Sequence, residues 1–274
     1  MTVHARAARI AVVQMCSGPE VAGNLAQAGE LLAQAAAQGA LLAALPENFA
    51  LMGRRDTDKL AIREEPGGGP IQDFLAETAA RLGLWVVAGS VPLVASRPDR
   101  VRNSLLVYDG AGQVRARYDK IHLFGFHRGE ERYDESATIE PGAEPMAVDT
   151  PFGRAGLSIC YDVRFPELYR LLGPLDLIFI PSAFTATTGR AHWETLVRAR
   201  AIENLAYAVA PAQAGHHAGG RRTHGHSLIV DPWGEVLAEI AEGPGVVLAE
   251  VDPARTAAVR ASLPALAHRT LGLL

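Results

Sequence analysis

Four residue positions in this chain carry side chains that can do acyl chemistry together. Cys160 stands in GRAGLSICYDVRFPELYR (153–170), where an apolar strand-like run ends on a thiol and a turn-to-helix pattern begins at once. A cysteine at the carboxyl end of a strand can point its sulfur into a cleft, while backbone N–H groups at the following helix start favour negative charge nearby. The plainer alternative is a small buried hydrophobe, since unpaired cysteine is among the most buried residue types. Glu47 follows the apolar run LAALP, Lys120 lies in RYDKIHLF (117–124) and Glu135 in EERYDES (130–136). Taken singly these read as a loop acid, a surface lysine and a member of a solvated charge run. In open α/β sheets, however, the functional crevice lies at strand carboxyl ends, where all four can converge.

The elements needed to bring them there are legible. Arg9 to Met15 reads as a buried strand, Asn24 to Gln38 as a helix with Gly39 near its end, and ALLAALPE as a second buried strand stopped at Pro46. A loop, EEPGGGP (64–70), leads to a helix over about Ile71 to Leu82 and a strand over LWVVAGSVPL (84–93). This alternation points to α/β layers. Hairpins follow, bending at Asp109-Gly110, at Pro151-Phe152-Gly153 and at Asp231-Pro232-Trp233-Gly234, so the sheets are mixed. LDLIFIPSA (175–183) and AYAVAPAQ (206–213) read as two more buried strands flanking a helix from about Arg190 to Asn204. From Pro253 onward a helix and a tail are expected. No linker or short repeat divides the 274 residues, which predicts one domain.

Composition narrows the function classes. A net charge of −4 leaves no basic footprint, which argues against a nucleic-acid partner. Two cysteines, Cys16 and Cys160, do not make a disulfide framework and fit a reducing compartment. The polar start MTVHARAAR lacks a signal-peptide pattern, and the Ala-rich stretch from Leu25 to Leu45 is interrupted by polar residues, so a cytoplasmic protein without a membrane partner is expected. His216, His217, His224 and His226 lack the paired spacing and cysteine company of a zinc site, and Gly67-Gly68-Gly69 has no following Lys-Ser/Thr to cradle a phosphate. Neither a metal nor an organic cofactor is expected.

Beyond single residues, LPEN (45–48), KIHLF (120–124) and ICYDVRFPELYR (159–170) occur in the order seen in the nitrilase, or carbon–nitrogen hydrolase, superfamily, which the chain resembles. Further matching stretches run through 181–215 and 225–239, so the resemblance spans nearly the whole chain. It implies an α/β fold that is a four-layer α-β-β-α sandwich with mixed sheets, and a Glu-Lys-Cys triad of Glu47, Lys120 and Cys160, with a second glutamate at Glu135. It also implies at least a homodimer, paired through the helix after the nucleophile and the RARAIEN helix, with the tail from about residue 253 packing on a partner subunit. Arg164 and Glu203 are then structural charges, and Trp193 a core or interface aromatic.

The chemistry explains the residue types. A neighbouring ammonium lowers a cysteine pKa from about 8.5 into a range of roughly 3.5 to 7.5, and Lys120 is expected to supply that charge. A partly desolvated carboxylate with its pKa raised to about 6 or 7 can take the thiol proton and later return it to departing ammonia, the role expected of Glu47. Lys120 and the Tyr161 backbone N–H are expected to stabilise the oxyanion, and water then releases an acid from the thioester.

Within the superfamily the likeness is greatest to the Nit subgroup and its deaminated-glutathione amidases, through AHWETLVRARAIEN, APAQAGHH, RRTHGHS and DPWGE. Such a substrate carries carboxylates at both ends, so positive or hydrogen-bonding groups are expected near the thiol, with Arg221, Arg222, His216 and His217 as candidates. Ser182, Ala183 and Phe184, at the end of a strand, are expected to line the pocket. Gly125-Phe126-His127 departs from relatives that place an acid directly after the KIHLF motif. That departure leaves an amidase of broader range open; an ω-amidase, a nitrilase, an N-carbamoyl amine hydrolase or an acyltransferase stays open because all share the thioester step, and a non-catalytic scaffold is disfavoured by the intact triad.

Overall fold

Side-chain alternation along the strands separates the core into two layers. In the computed structural model, which describes residues 6–271, a first sheet is built from β1 (Ala8–Gln14), β2 (Leu42–Ala44), β3 (Trp85–Val87), β4 (Val91–Val94), β5 (Val101–Tyr108) and β6 (Val114–Asp119). β1, β2 and β3 run parallel, joined by α1 (Val21–Ala37) and α2 (Pro70–Leu82). Ala11, Val13, Ala43, Leu106 and Tyr108 face those helices and pack with Leu32, Ala35, Leu75 and Ala79. Their strand neighbours Ile10, Val12, Leu42, Ala44, Leu105 and Val107 face the other way, into the second core.

β7 (Gly125–Arg128) and β8 (Glu131–Asp134) form a hairpin off the first sheet. The second sheet takes β9 (Met146–Thr150), β10 (Gly153–Leu157), β11 (Leu177–Phe179) and β12 (Tyr207–Ala210), with α3 (Pro166–Leu171) and α4 (Ala186–Asn204) between its parallel strands. A ribbon of β13 (Ala214–His216) and β14 (Arg222–His224) leads to β15 (Ser227–Val230) and β16 (Val236–Ile240), which complete that sheet in the order β16-β15-β12-β11-β10-β9. β17 (Gly245–Val251) returns to the first sheet and pairs antiparallel with β1 from Ala8↔Val251 to Gln14↔Gly245. Leu168, Tyr169, Trp193, Val197 and Ala201 cover the second sheet from α3 and α4. The layers are thus α-β-β-α, as expected.

Among the boundaries that differ from the sequence reading, two have a local cause. The stretch 84–93 is two strands rather than one, because the chain turns at Gly89 (φ 59°), where a Cβ would lie 2.0 Å from the Pro46 carbonyl oxygen. α4 starts before Arg190, since the Thr185 hydroxyl accepts from the Thr188 N–H and caps the helix one turn earlier. Trp193 is buried, its Nε1 donating to the His226 carbonyl at 2.8 Å. α5 (Pro253–Ser262) is held to its own chain: Arg255 reaches Asp231 at 2.7 Å and Arg260 reaches Asp176 at 3.1 Å.

Candidate active site

The two sheets place their strand ends around one thiol. Glu47 lies three residues past β2, where the Leu45 N–H still donates to the Val87 carbonyl and Gly89 lets the next strand close against Pro46. Lys120 follows β6, its N–H donating to the Asn103 carbonyl of β5 at 2.9 Å. Cys160 follows β10 at the start of a 3₁₀ turn (Cys160–Arg164), with a left-handed backbone (φ 53°) fixed by donation from its N–H to the Pro181 carbonyl at 2.9 Å. The first sheet thus delivers the acid and the amine, and the second delivers the sulfur.

Their side chains form a buried charge cluster. Lys120 is 0% exposed, and its Nζ lies 2.8 Å from Glu47 Oε1 and 2.8 Å from Glu135 Oε2. Asn103 Nδ2 also donates to Glu47 Oε1, at 3.0 Å, while Glu47 Oε2 is buried without a hydrogen-bond partner. The Phe124 N–H donates to Glu135 Oε2 at 2.8 Å, fixing the second acid. Burial alone would pull Lys120 down, but Glu135 and Glu47 overcome it and hold the ammonium charged, well above its ordinary value. Glu135 faces the same burial, and Lys120 keeps it ionised below the usual carboxylate range.

Cys160 is 6% exposed, and its thiol is pushed up rather than down, chiefly by burial and then by the Glu47 charge, against the opposing pull of Lys120. Lys120 does pull the thiol down, as expected of an adjacent ammonium, but burial and the Glu47 charge outweigh it, so the net shift is the reverse of the one expected.

Several residues that sequence reasoning missed hold this cluster in register. Asp162 accepts from Tyr118 Oη at 2.8 Å, from the Ile159 N–H at 2.8 Å and from the His122 N–H at 3.0 Å, and its Oδ1 meets His122 Nδ1 at 2.7 Å. One carboxylate thereby ties the nucleophile turn to the segment carrying Lys120. Gln213 links the strand ends as well, donating to the Glu47 carbonyl at 3.1 Å and to Ser17 Oγ at 2.8 Å. The available signal was an acid two residues beyond the cysteine and a tyrosine two before the lysine.

A narrow cleft with room for about one water (about 10 Å³) opens beside Cys160, lined by Phe124, Tyr161, Ala183, Phe184 and Arg221 among others. The expected pocket residues Tyr161, Ala183, Phe184 and Arg221 are therefore brought to the thiol. Ser182 is not: it is fully buried, and its hydroxyl donates to the Ile180 carbonyl at 2.9 Å. Arg222 is exposed and lines a separate depression with Arg128, Thr187 and Arg190. His216 is exposed, and His217 is engaged by the Ser17 carbonyl at 2.9 Å and Thr223 Oγ1 at 2.7 Å. Arg164 sits over the Phe184 and Tyr161 rings at 5.3 and 5.7 Å, while Glu203 pairs with Arg200, whose Nε donates to the Val163 carbonyl at 2.8 Å.

Known proteins resemble this chain in sequence and in fold. A family described as carbon-nitrogen hydrolase matches residues 9–261. A Synechocystis sp. protein named deaminated glutathione amidase is 45% identical over 265 residues, covering 94% of this chain and 97% of its own. The Homo sapiens protein of that name is 39% identical over 267 residues, covering 95% of this chain and 81% of its own. The crystal structure of Saccharomyces cerevisiae Nit3, described as a member of branch 10 of the nitrilase superfamily, superposes with a TM-score of 0.89 at 28% identity, covering 99% of each chain. With the match running from the first strand into the last helix, the chain belongs to the carbon–nitrogen hydrolase family.

Proposed function

We propose that the chain is a cysteine-dependent amidase that hydrolyses a small carboxylate-bearing amide of the deaminated-glutathione kind through a thioester. The observation that carries this reading is the division of labour within Glu47: Oε1 is saturated by Asn103 and Lys120, and Oε2 is buried with nothing bonded to it. A buried carboxylate oxygen without a partner is costly unless it has a proton to receive. As the Cys160 sulfur bonds to the amide carbon, its proton passes to Glu47, and Lys120 with the Tyr161 backbone N–H receives the oxyanion. The carbon–nitrogen bond then breaks, and the proton held by Glu47 leaves on ammonia or an amine. Water, deprotonated by Glu47, attacks the thioester; the sulfur–carbon bond breaks, releasing a carboxylic acid and restoring the thiol. Glu135 keeps Lys120 charged and oriented.

The substrate class is supported by the names of the 45% and 39% identical relatives. Other members of this superfamily's chemistry, an ω-amidase, a nitrilase or an N-carbamoyl amine hydrolase, share the thioester step. Release of an amine from deaminated glutathione, and of ammonia from α-ketoglutaramate, an N-carbamoyl amine and an aliphatic nitrile, separates them, and preference for the nitrile refutes the amidase. Glu47→Gln is expected to block turnover, while Cys160→Ala abolishes it with the circular-dichroism spectrum retained. Substantial hydrolysis by Cys160→Ala rules out the nucleophile.

A homodimer paired through α3 and α4 is part of this reading. It is supported by exposed Leu171, Ile202 and Trp233 (56%, 43% and 57%), and light scattering of the purified protein tests it. Packing of the tail from about residue 253 on a partner subunit belongs to the same proposal. A cytoplasmic location is proposed from the unpaired Cys16 and Cys160; among the described residues no helix is long and apolar enough to cross a membrane.

A further inference from the structure

We propose that Lys59 and Arg221 form a carboxylate-binding subsite at the mouth of the thiol cleft, which takes the acid group of the substrate remote from the amide being cut. The proposal rests on the amidase reading above and adds a residue that the sequence motifs do not mark.

The cleft beside Cys160 admits little more than the reacting group, so the body of any substrate has to lie outside it. The adjoining cavity, of about 570 Å³, has the size of a small-molecule site. Arg221 lines both spaces and therefore stands at their junction. Its Nη2 donates to the Ala183 carbonyl at 2.6 Å and its guanidinium lies 5.1 Å from the Tyr133 ring centre, which fix its orientation, yet its Nε is buried with no hydrogen-bond partner. A guanidinium held in place with a donor unused is preorganised for an anion.

Lys59 supplies the second charge. It lies on the 3₁₀ turn Asp56–Leu60, is part-buried, and lines the outer cavity with Arg221. Among the described residues it has no carboxylate within 4.0 Å, in contrast to Lys120, which has two. Burial lowers its pKa; Glu135 and Asp56 act against that, and Arg221 and Lys120 add to it. An anion arriving between Lys59 and Arg221 relieves both the desolvation and the mutual repulsion. Five basic and three acidic side chains line the outer cavity, so its field favours an anion. One of those acids, Glu131, is engaged by the Thr187 hydroxyl at 2.7 Å. Lys120 is already compensated by Glu47 and Glu135, so it draws a remote carboxylate less than Lys59 does.

The test compares the full-length enzyme with Lys59→Met, Lys59→Gln and Lys59→Arg, using deaminated glutathione and the same amide with its carboxylates methyl-esterified. Removal of the charge by Met or Gln is expected to lower the preference for acid over ester about tenfold, with the loss in KM, and Arg is expected to restore most of it. Equal losses on acid and ester overturn the subsite. A second readout does not depend on turnover: calorimetric titration of glutarate is expected to show binding that weakens about tenfold in Lys59→Met and exceeds that of inorganic phosphate. Wild-type enzyme that does not bind glutarate, or binding that Lys59→Met leaves unaltered, also overturns it. If neither amide is cut while Lys59 still governs glutarate binding, the amidase reading falls and the subsite stands.

Discussion

Lys120, in the buried charge cluster, and Lys59, in the wall of the outer cavity, are treated in opposite ways. Lys120 is sealed in the interior with carboxylates on two sides, each 2.8 Å away, and is charged before any substrate arrives. Lys59 stands at the mouth with no counter-ion within 4.0 Å among the described residues, and burial works against its charge. A group that stabilises charge developing during a reaction is best compensated and fixed in advance, whereas a group that recognises an incoming ion gains by being left uncompensated until that ion binds. Depth in the fold thus separates the machinery of bond breaking from the selection of what is broken.

Removing the sealed charge should have the largest effect. In Lys120→Met the Glu47 and Glu135 carboxylates face each other with no cation between them, and uncompensated buried charge of this kind costs about 3–5 kcal/mol. A large drop in the urea midpoint and loss of turnover are expected; an unaltered midpoint would mean that the pair is not the closed unit described here. Position within the sealed side can be shifted without touching a charge. Gly89→Ala puts a Cβ against the Pro46 carbonyl and pushes the backbone that carries Glu47, and a misplacement of about 1 Å can cost about a hundredfold in rate. A Gly89→Ala enzyme with wild-type kcat would show that Glu47 tolerates movement.

The smallest test sharpens the electrostatic side of the comparison. Because burial and then the Glu47 charge outweigh the pull of Lys120, the Cys160 thiol is raised above its ordinary value, so it loses its proton only at high pH. Without substrate, inactivation by iodoacetamide should therefore keep rising with pH through and beyond about 8.5, the unperturbed cysteine value. A plateau near neutrality would mean that the ammonium wins and the resting group is a thiolate.

Much of this arrangement was legible in the sequence because it rests on local patterns. Continuous apolar runs marked the strands, turn residues marked three hairpins, and the motifs around Glu47, Lys120 and Cys160 marked the site. What escaped depends on contacts between distant segments. The run 84–93 has the composition of one strand, and only the closeness of Gly89 to Pro46 breaks it. Arg221 and Arg222 are neighbours of the same type, yet on an extended ribbon consecutive side chains point to opposite sides, so one reaches the cleft and the other solvent. Ser182 and Ala183 divide in the same way at the end of β11. Lys59 sits in the polar run GRRDTDK, where nothing sets it apart from a surface lysine. The direction of the thiol shift was misread because a motif names charges without saying how deeply the sulfur beside them is buried.

A residue bearing a side chain seldom rests where Cys160 does, on the left-handed side of the backbone map. Such a conformation is strained by roughly 1–3 kcal/mol for anything but glycine. A descendant released from hydrolysis would gain backbone ease by trading the sulfur for glycine, so a thiol kept at this turn is a signature of a lineage still using it.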